Sequence, residues 1–333
     1  MSPRLHLFLS LLSLYVVCVY AQHVKQKHLE PNNSITDYMG YRELYVSPSA
    51  VFSGYQKTFE EAKYIILGVP FDVTSTYRVG ARFAPLAIRE ASLNIETYSF
   101  RTGIDIENLR MHDLGDLHVT SDTAETLKRV EHVVKEILEA GKIPVLMGGE
   151  HTITLGATRA VENNFAIIDF DAHLDTRNEY MNLKVSHTTF MRRINEQAKP
   201  TKIVEVGTRA VCKEELDYAK KAGINFITTQ QIQKNSVTQI TKKIENLLKD
   251  ATKIYLTVDM DVLDPAFVPA VQNPEPDGLC THTLFDLLHE VCDERIAAFD
   301  VVEVAPHYDN GVTAIQAAKT IFEILCNMEK GRR

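Results

Sequence analysis

The stretch FAIIDFDAHLD, residues 165–175, decides how this chain is read: an apolar run ends in acids and a histidine at every second position. An extended backbone sends alternate side chains to one face, so the spacing predicts that Asp171, His173 and Asp175 point into a single site. Taken alone, D-x-H is as well explained by a polar loop after a strand. Two further stretches change that weighing. IPVLMGGEH (143–151) is a second apolar strand that breaks at Gly148 and Gly149 and then offers His151. KIYLTVDMDVLD (253–264) is a third, ending in Asp259 and Asp261, again two apart.

With these stretches in view, the chain resembles a known family. GGEH (148–151), DFDAHLD (169–175), SHTTF (186–190), VDMDVLDPAF (258–267) and VVEVAP (301–306) look like the ordered signature set of the ureohydrolases, the arginases and agmatinases. The resemblance runs from about residue 64 to the C-terminus. The block PFDVTSTYRVGARFAPLAIREAS (70–92) is closer to the agmatinase branch, although on its own it reads as a loop fixed by Gly80 and Pro85.

Eight apolar strands are expected, at 64–70, 109–116, 143–147, 165–170, 203–207, 224–228, 254–258 and 298–304. They alternate with amphipathic helices. One opens at Asp122 and Glu125, a pair resembling a capping box, carries Leu127, Val130, Val134, Ile137 and Leu138 at helical spacing, and stops at Gly141. Another carries Val237, Ile240, Ile244, Leu247 and Leu248 on one face, and a last one spans 314–328. Such alternation argues for a parallel sheet covered on both faces. Periodicity leaves a closed barrel open; the resemblance implies a three-layer α/β/α sandwich with a mainly parallel, eight-stranded sheet. In either architecture a site lies beyond the carboxyl ends of the strands, where every candidate ligand sits.

Composition sets the outer limits. The chain has 333 residues, 45% hydrophobic and 24% charged, an ordinary globular composition, with no linker after residue 64. A formal charge of −8 argues against a nucleic-acid partner and favours a cationic small substrate. Residues 1–38 read as a leader, because Arg4, an apolar run over 5–19 and Ala21 have the layout of a secretory signal. The apolar part is short for a membrane span. An extended start upstream of Met39 is the competing reading, and a cytoplasmic mature protein is favoured over export. Residues 39–333 are then one catalytic domain. Cys18, Cys212, Cys280, Cys292 and Cys326 form no C-x-x-C pair, so free thiols are expected.

Four carboxylates gathered in a small volume repel one another unless cations are present. An oxygen-dominated set with two imidazoles suits two Mn²⁺ better than Zn²⁺. Carried over by position, the resemblance implies that His151, Asp171, Asp175 and Asp259 hold one ion, and that His173, Asp171, Asp259 and Asp261 hold the other. One metal can already bring the pKa of water from 15.7 to about 7, so the resemblance implies a bound hydroxide that attacks a guanidinium carbon, with urea and an amine as products. Glu303 is expected to clamp the guanidinium in bidentate fashion and His187 to shuttle a proton to the departing amine. Asp175 is a further candidate for orienting the hydroxide. Asp169, Glu150 and Asp264 read as neighbours that orient ligands or loops, and Arg209 as a structural charge.

Agmatine is the expected substrate, since no serine and asparagine set for an α-carboxylate is evident. Arginine, guanidinobutyrate and guanidine stand as alternatives, because VPAVQNPEPDG (268–278) departs from the family's glycine-rich turn at Ala270 and Gln272. Amide or phosphoester hydrolysis is disfavoured by the GGEH and EVAP contexts, and a non-catalytic assembly role by the six intact ligand positions. The resemblance implies a homo-oligomer, a trimer or hexamer.

Overall fold

A computed structural model describes residues 40–47, 49–161 and 164–330; the leader expected over 1–38 lies outside them. All eight expected strands form. In chain order they are β2 (Tyr64–Val69), β5 (Met111–Leu117), β6 (Ile143–Gly148), β7 (Phe165–Phe170), β8 (Lys202–Thr208), β9 (Asn225–Thr228), β10 (Lys253–Asp259) and β11 (Ile296–Val302). A ninth, β1 (Val46–Ser47), pairs antiparallel with β5 through Val46–Leu117 and Ser47–Asp116. Two residues carry no periodicity, which is why it was not legible beforehand. Likewise β3 (Tyr98–Ser99) and β4 (Ile104–Asp105) form a separate small hairpin.

The sheet order is β1-β5-β2-β6-β11-β10-β7-β8-β9, parallel except at β1. Among the described residues β1 and β9 do not pair with each other and stand at opposite edges, so the sheet is open and not a barrel. Neighbouring side chains along each strand go to opposite faces, and both faces are apolar. On one side Ile66, Met147, Ile168, Val258 and Val301 pack with the closing helix, Val312–Lys330. On the other, Ile65, Leu146, Ile167 and Val302 pack with Leu127, Val130, Val134 and Ile137 of α3 (Thr123–Glu139). That is the layered sandwich.

Local signals behave mostly as expected. Pro85 sits in the first turn of α2 (Ala84–Ser92), where its missing N–H is not needed. Asp122 caps α3 by accepting the Ala124 and Glu125 N–H groups. The reciprocal half of a capping box is absent, because Glu125 instead takes the Arg129 guanidinium 2.8 Å away. Gly141 follows α3 at φ 71°, a backbone state that favours glycine. Among the described residues no helix is long and apolar enough to cross a membrane.

What matters for function is the middle of the sheet. The adjacent strands β6, β11, β10 and β7 end together, with Val301 opposite Met147, Asp259 opposite Val302 and Val258 opposite Phe170. The segments that leave these four ends carry His151, Glu303, Asp259 with Asp261, and Asp171 with His173 and Asp175.

Candidate metal centre

Strand alternation does not by itself gather the DFDAHLD ligands, since β7 stops at Phe170. The Asp171 N–H still donates to Val206 O (3.1 Å), and the chain then turns: the His173 N–H donates to Asp171 Oδ1 at 2.5 Å. β10 ends with the same device, the Asp261 N–H donating to Asp259 Oδ1 at 2.7 Å. In each D-x-H or D-x-D step the first carboxylate folds the backbone so that the next candidate ligand comes round beside it. Asp175 and Glu303 take φ of 45° and 69°, conformations that cost a non-glycine residue energy and that cluster at functional sites. His151 is delivered by close backbone packing. A Cβ on Gly149 would lie 1.9 Å from Phe71 O, so only glycine allows the 69–71 segment to accept the Gly149 and Glu150 N–H groups.

The result is a tight cluster. His151 Nδ1 lies 3.2 Å from Asp171 Oδ2, 3.3 Å from Asp259 Oδ2 and 3.9 Å from Asp175 Oδ2. His173 Nδ1 lies 3.3 Å from Asp171 Oδ1 and 3.1 Å from Asp261 Oδ2. Two groups can each surround a cation: His151, Asp171 and Asp259, and Asp171, His173 and Asp261. Asp171 belongs to both, one oxygen toward each histidine. Asp259 turns Oδ2 to the first group, its Oδ1 being held by the Asp261 N–H.

The electrostatics ask for cations. His151, Asp171, Asp259 and Asp261 are buried, as is Asp175. Burial pushes the Asp175 and Asp259 carboxyls well above their usual range, with Asp171 adding to both. Burial would depress His151, yet Asp169, Asp171 and Asp300 outweigh it and hold its pKa at about 10. Asp171 moves the other way, below its ordinary range: burial opposes, and the two histidines prevail. A protonated imidazole is thus serving as counter-ion to several acids. His151 Nδ1 and Asp171 Oδ2 are buried without a hydrogen-bond partner, as coordinating atoms would be. The residues fit a pair of divalent ions.

A supporting shell fixes the His151 tautomer. Three hydroxyls converge on Asp300, from Thr257 (2.5 Å), Tyr255 (2.6 Å) and Thr154 (2.7 Å). With its proton spent on Asp300, Thr257 Oγ1 accepts from His151 Nε2, 2.8 Å away. In the neutral ring this leaves Nδ1 as the lone pair facing the acids. Thr257 and Asp300 were not read from the sequence, although Thr257 stands two before Asp259 on the same strand face. Asp169 is buried behind the ligands, Oδ1 being 3.8 Å from His151 Nε2, and it sits opposite the buried Glu205 of β8.

The other expected residues ring this cluster. Glu303 Oε1 accepts the His151 main-chain N–H (2.6 Å), while Oε2 is buried and unpaired. The bidentate clamp therefore has one oxygen partly committed and one fully open. His187 Nδ1 lies 3.7 Å from Glu303 Oε1. Burial, then positive charge on His173 and His151, pushes His187 down to about 3, so its ring is neutral at physiological pH. Glu150 accepts from the Thr74 N–H (2.8 Å) and from the Thr74 and Thr152 hydroxyls (2.5 and 2.6 Å). Asp264 takes the Ala266 and Gly278 N–H groups and so shapes the 264–278 loop. Arg209 donates to the carbonyls of Asp261 (2.6 Å), Glu275 (2.8 Å) and Pro276 (3.0 Å). Ala270 and Gln272, where the sequence departs from the family turn, are buried against the end of β11, the Ala305 N–H donating to Ala270 O (2.7 Å) and the Gln272 N–H to Glu303 O (3.2 Å).

The chain as a whole is similar to known proteins. The arginase family profile matches residues 62–326. The N(1)-aminopropylagmatine ureohydrolase of Thermococcus kodakarensis is 36% identical over 275 residues, 81% of this chain and 92% of that protein. The agmatinase of Bacillus subtilis is 36% identical over 287 residues, 84% of this chain and 97% of that protein. The crystal structure of agmatine ureohydrolase of Thermoplasma volcanium superposes with a TM-score of 0.80 at 36% identity, covering 85% of this chain and 96% of that one.

Proposed function

The chain belongs to the arginase family, a family of binuclear metal enzymes, and is a ureohydrolase; from that premise we propose that it converts agmatine to putrescine and urea with two Mn²⁺ per subunit. The observation that carries this reading is Asp171, whose two carboxylate oxygens face two different histidines at 3.2 and 3.3 Å. His151, Asp171, Asp175 and Asp259 would hold one ion, and His173, Asp171, Asp259 and Asp261 the other. A bound pair of ions supplies a water acidic enough to be hydroxide near neutral pH.

The side chains of the protein do the remaining work. Glu303, through its unpaired Oε2, receives the guanidinium N–H groups, with a second lone pair on Oε1 available beside the His151 bond. Asp175 orients the attacking oxygen. His187, neutral at working pH, acts as a relay and not as a standing acid: it takes up the proton of the hydroxyl added to the guanidinium carbon, leaving the urea oxygen, and passes it to the amine nitrogen as the carbon–nitrogen bond breaks.

Agmatine is favoured over arginine by the cations around the site. Arg209 is spent on backbone carbonyls, Arg78 donates to Pro269 O (2.7 Å), and Arg177 pairs with Glu215 (3.6 Å). Each of the three turns at least one guanidinium nitrogen to an oxygen of the protein itself, which supports a substrate without an α-carboxylate. Arginine, guanidinobutyrate and guanidine are the competing substrates. Incubating the Mn²⁺-loaded protein with all four and measuring urea decides among them; a clear preference for arginine overturns the agmatine assignment. We also propose a homo-oligomer, a trimer or hexamer, supported by the exposed apolar side chains of Tyr77, Val79, Phe83 and Leu86; light scattering on the eluted protein checks it.

A further inference from the structure

The segment Thr74-Ser75-Thr76 presents three consecutive hydroxyls, and each is bonded to a different part of the site. Thr74 binds Glu150 and accepts the His187 main-chain N–H at 3.1 Å. Ser75 donates to Asp72 O (3.0 Å) and accepts from the Gln272 side-chain amide, whose own main-chain N–H reaches Glu303 O. Thr76 Oγ1 lies 3.0 Å from His187 Nε2 and 3.5 Å from Asn273 Nδ2. One short loop therefore holds both ends of His187.

We propose that Thr76 is a positioning residue for His187, holding the Nε2 edge of the ring so that Nδ1 is the nitrogen presented to a guanidinium bound at Glu303. This rests on the reading of His187 as the proton relay. Among the described residues Thr76 is the one hydrogen-bond partner of Nε2. A hydroxyl that accepts from Nε2–H selects the tautomer with a basic Nδ1, which can take a proton and release it without the ring turning. The Thr76 proton needs an acceptor in its turn. Asn273 Oδ1 is buried and has no partner, and turning that amide over, which exchanges its O and N, offers the oxygen to Thr76. The chain Nε2–H to Thr76 to Asn273 then repeats, for the relay histidine, the arrangement His151–Thr257–Asp300 behind the metal ligands.

The test uses Thr76→Val, which keeps the shape and removes the hydroxyl, with Thr76→Ser as the conservative control. In the Mn²⁺-loaded protein acting on agmatine, Thr76→Val is expected to lower kcat by about tenfold to a hundredfold, with KM little changed and both ions retained. Thr76→Ser is expected to restore most of the rate. Ring ¹⁵N shifts of the Zn²⁺-loaded protein, with His187→Ala identifying the resonance, should show the Nε2–H tautomer in the parent and its loss in Thr76→Val. Unchanged kcat in Thr76→Val, loss of metal, or an unaltered His187 spectrum would overturn the assignment. If the parent releases no urea from any guanidino compound, the proposed reaction fails, while the ¹⁵N shifts still decide the role of Thr76.

Discussion

His151 Nε2 and Thr257 Oγ1 stand 2.8 Å apart, and the Thr257 hydroxyl donates to Asp300 at 2.5 Å, so the ring of this candidate ligand is held from behind. Thr257→Val breaks that link at nearly constant volume. The expected outcome is a fall of about tenfold to a hundredfold in affinity for the ion at His151, with Thr257→Ser close to the parent. Titration of the metal-free protein with Mn²⁺ reads this directly.

Asp171→Ala removes a carboxylate that faces both histidines. We expect loss of urea release and of bound metal in the same variant, read by elemental analysis. A protein that kept both ions would show that Asp171 does not bridge.

Glu303 bonds the His151 main chain and His187 lies beside Glu303, and neither belongs to the proposed ligand sets. His187→Ala should lower turnover by about a hundredfold or more and leave two ions in place. Glu303→Gln keeps a carbonyl for the His151 N–H but presents no charge to the substrate, so KM should rise more than metal content falls. Steady-state kinetics beside metal analysis separates the two effects.

Chelation exposes the charge balance of the site. Without metal, the pKa of His151 rises from 6.5 to about 10, so the folded state binds a proton that the unfolded state lacks in that interval. Its contribution to stability is fully present below pH about 6.5 and is lost as pH climbs towards 10. Thermal unfolding of the chelated protein should therefore fall in midpoint across that window. Mn²⁺ should remove the trend, because the ion replaces the proton.

Gly149→Ala tests the delivery of His151. The new methyl would meet Phe71 O at 1.9 Å, and backbone cannot yield as a side-chain tip does. A loss of about 1–3 kcal/mol is expected, with weaker metal binding, measured by denaturant unfolding.

Read alone, the sequence was enough to expect a parallel sheet under helices, with the candidate ligands at its carboxyl rim. Unbroken apolar strands need cover on both faces, in an open sandwich or a closed barrel, and in either one acids at the carboxyl end of such a strand lie at the rim of the sheet. Tertiary structure alone decided which rims meet. Strand order is not written in strand periodicity, so the adjacency of β6, β11, β10 and β7, and with it the 3.3 Å approach of His151 to Asp259, came from folding. It also decided the supporting residues. Thr76, Thr257 and Asp300 are ordinary polar residues in sequence, and each acquires its role only because burial leaves a histidine nitrogen a single hydroxyl to bond.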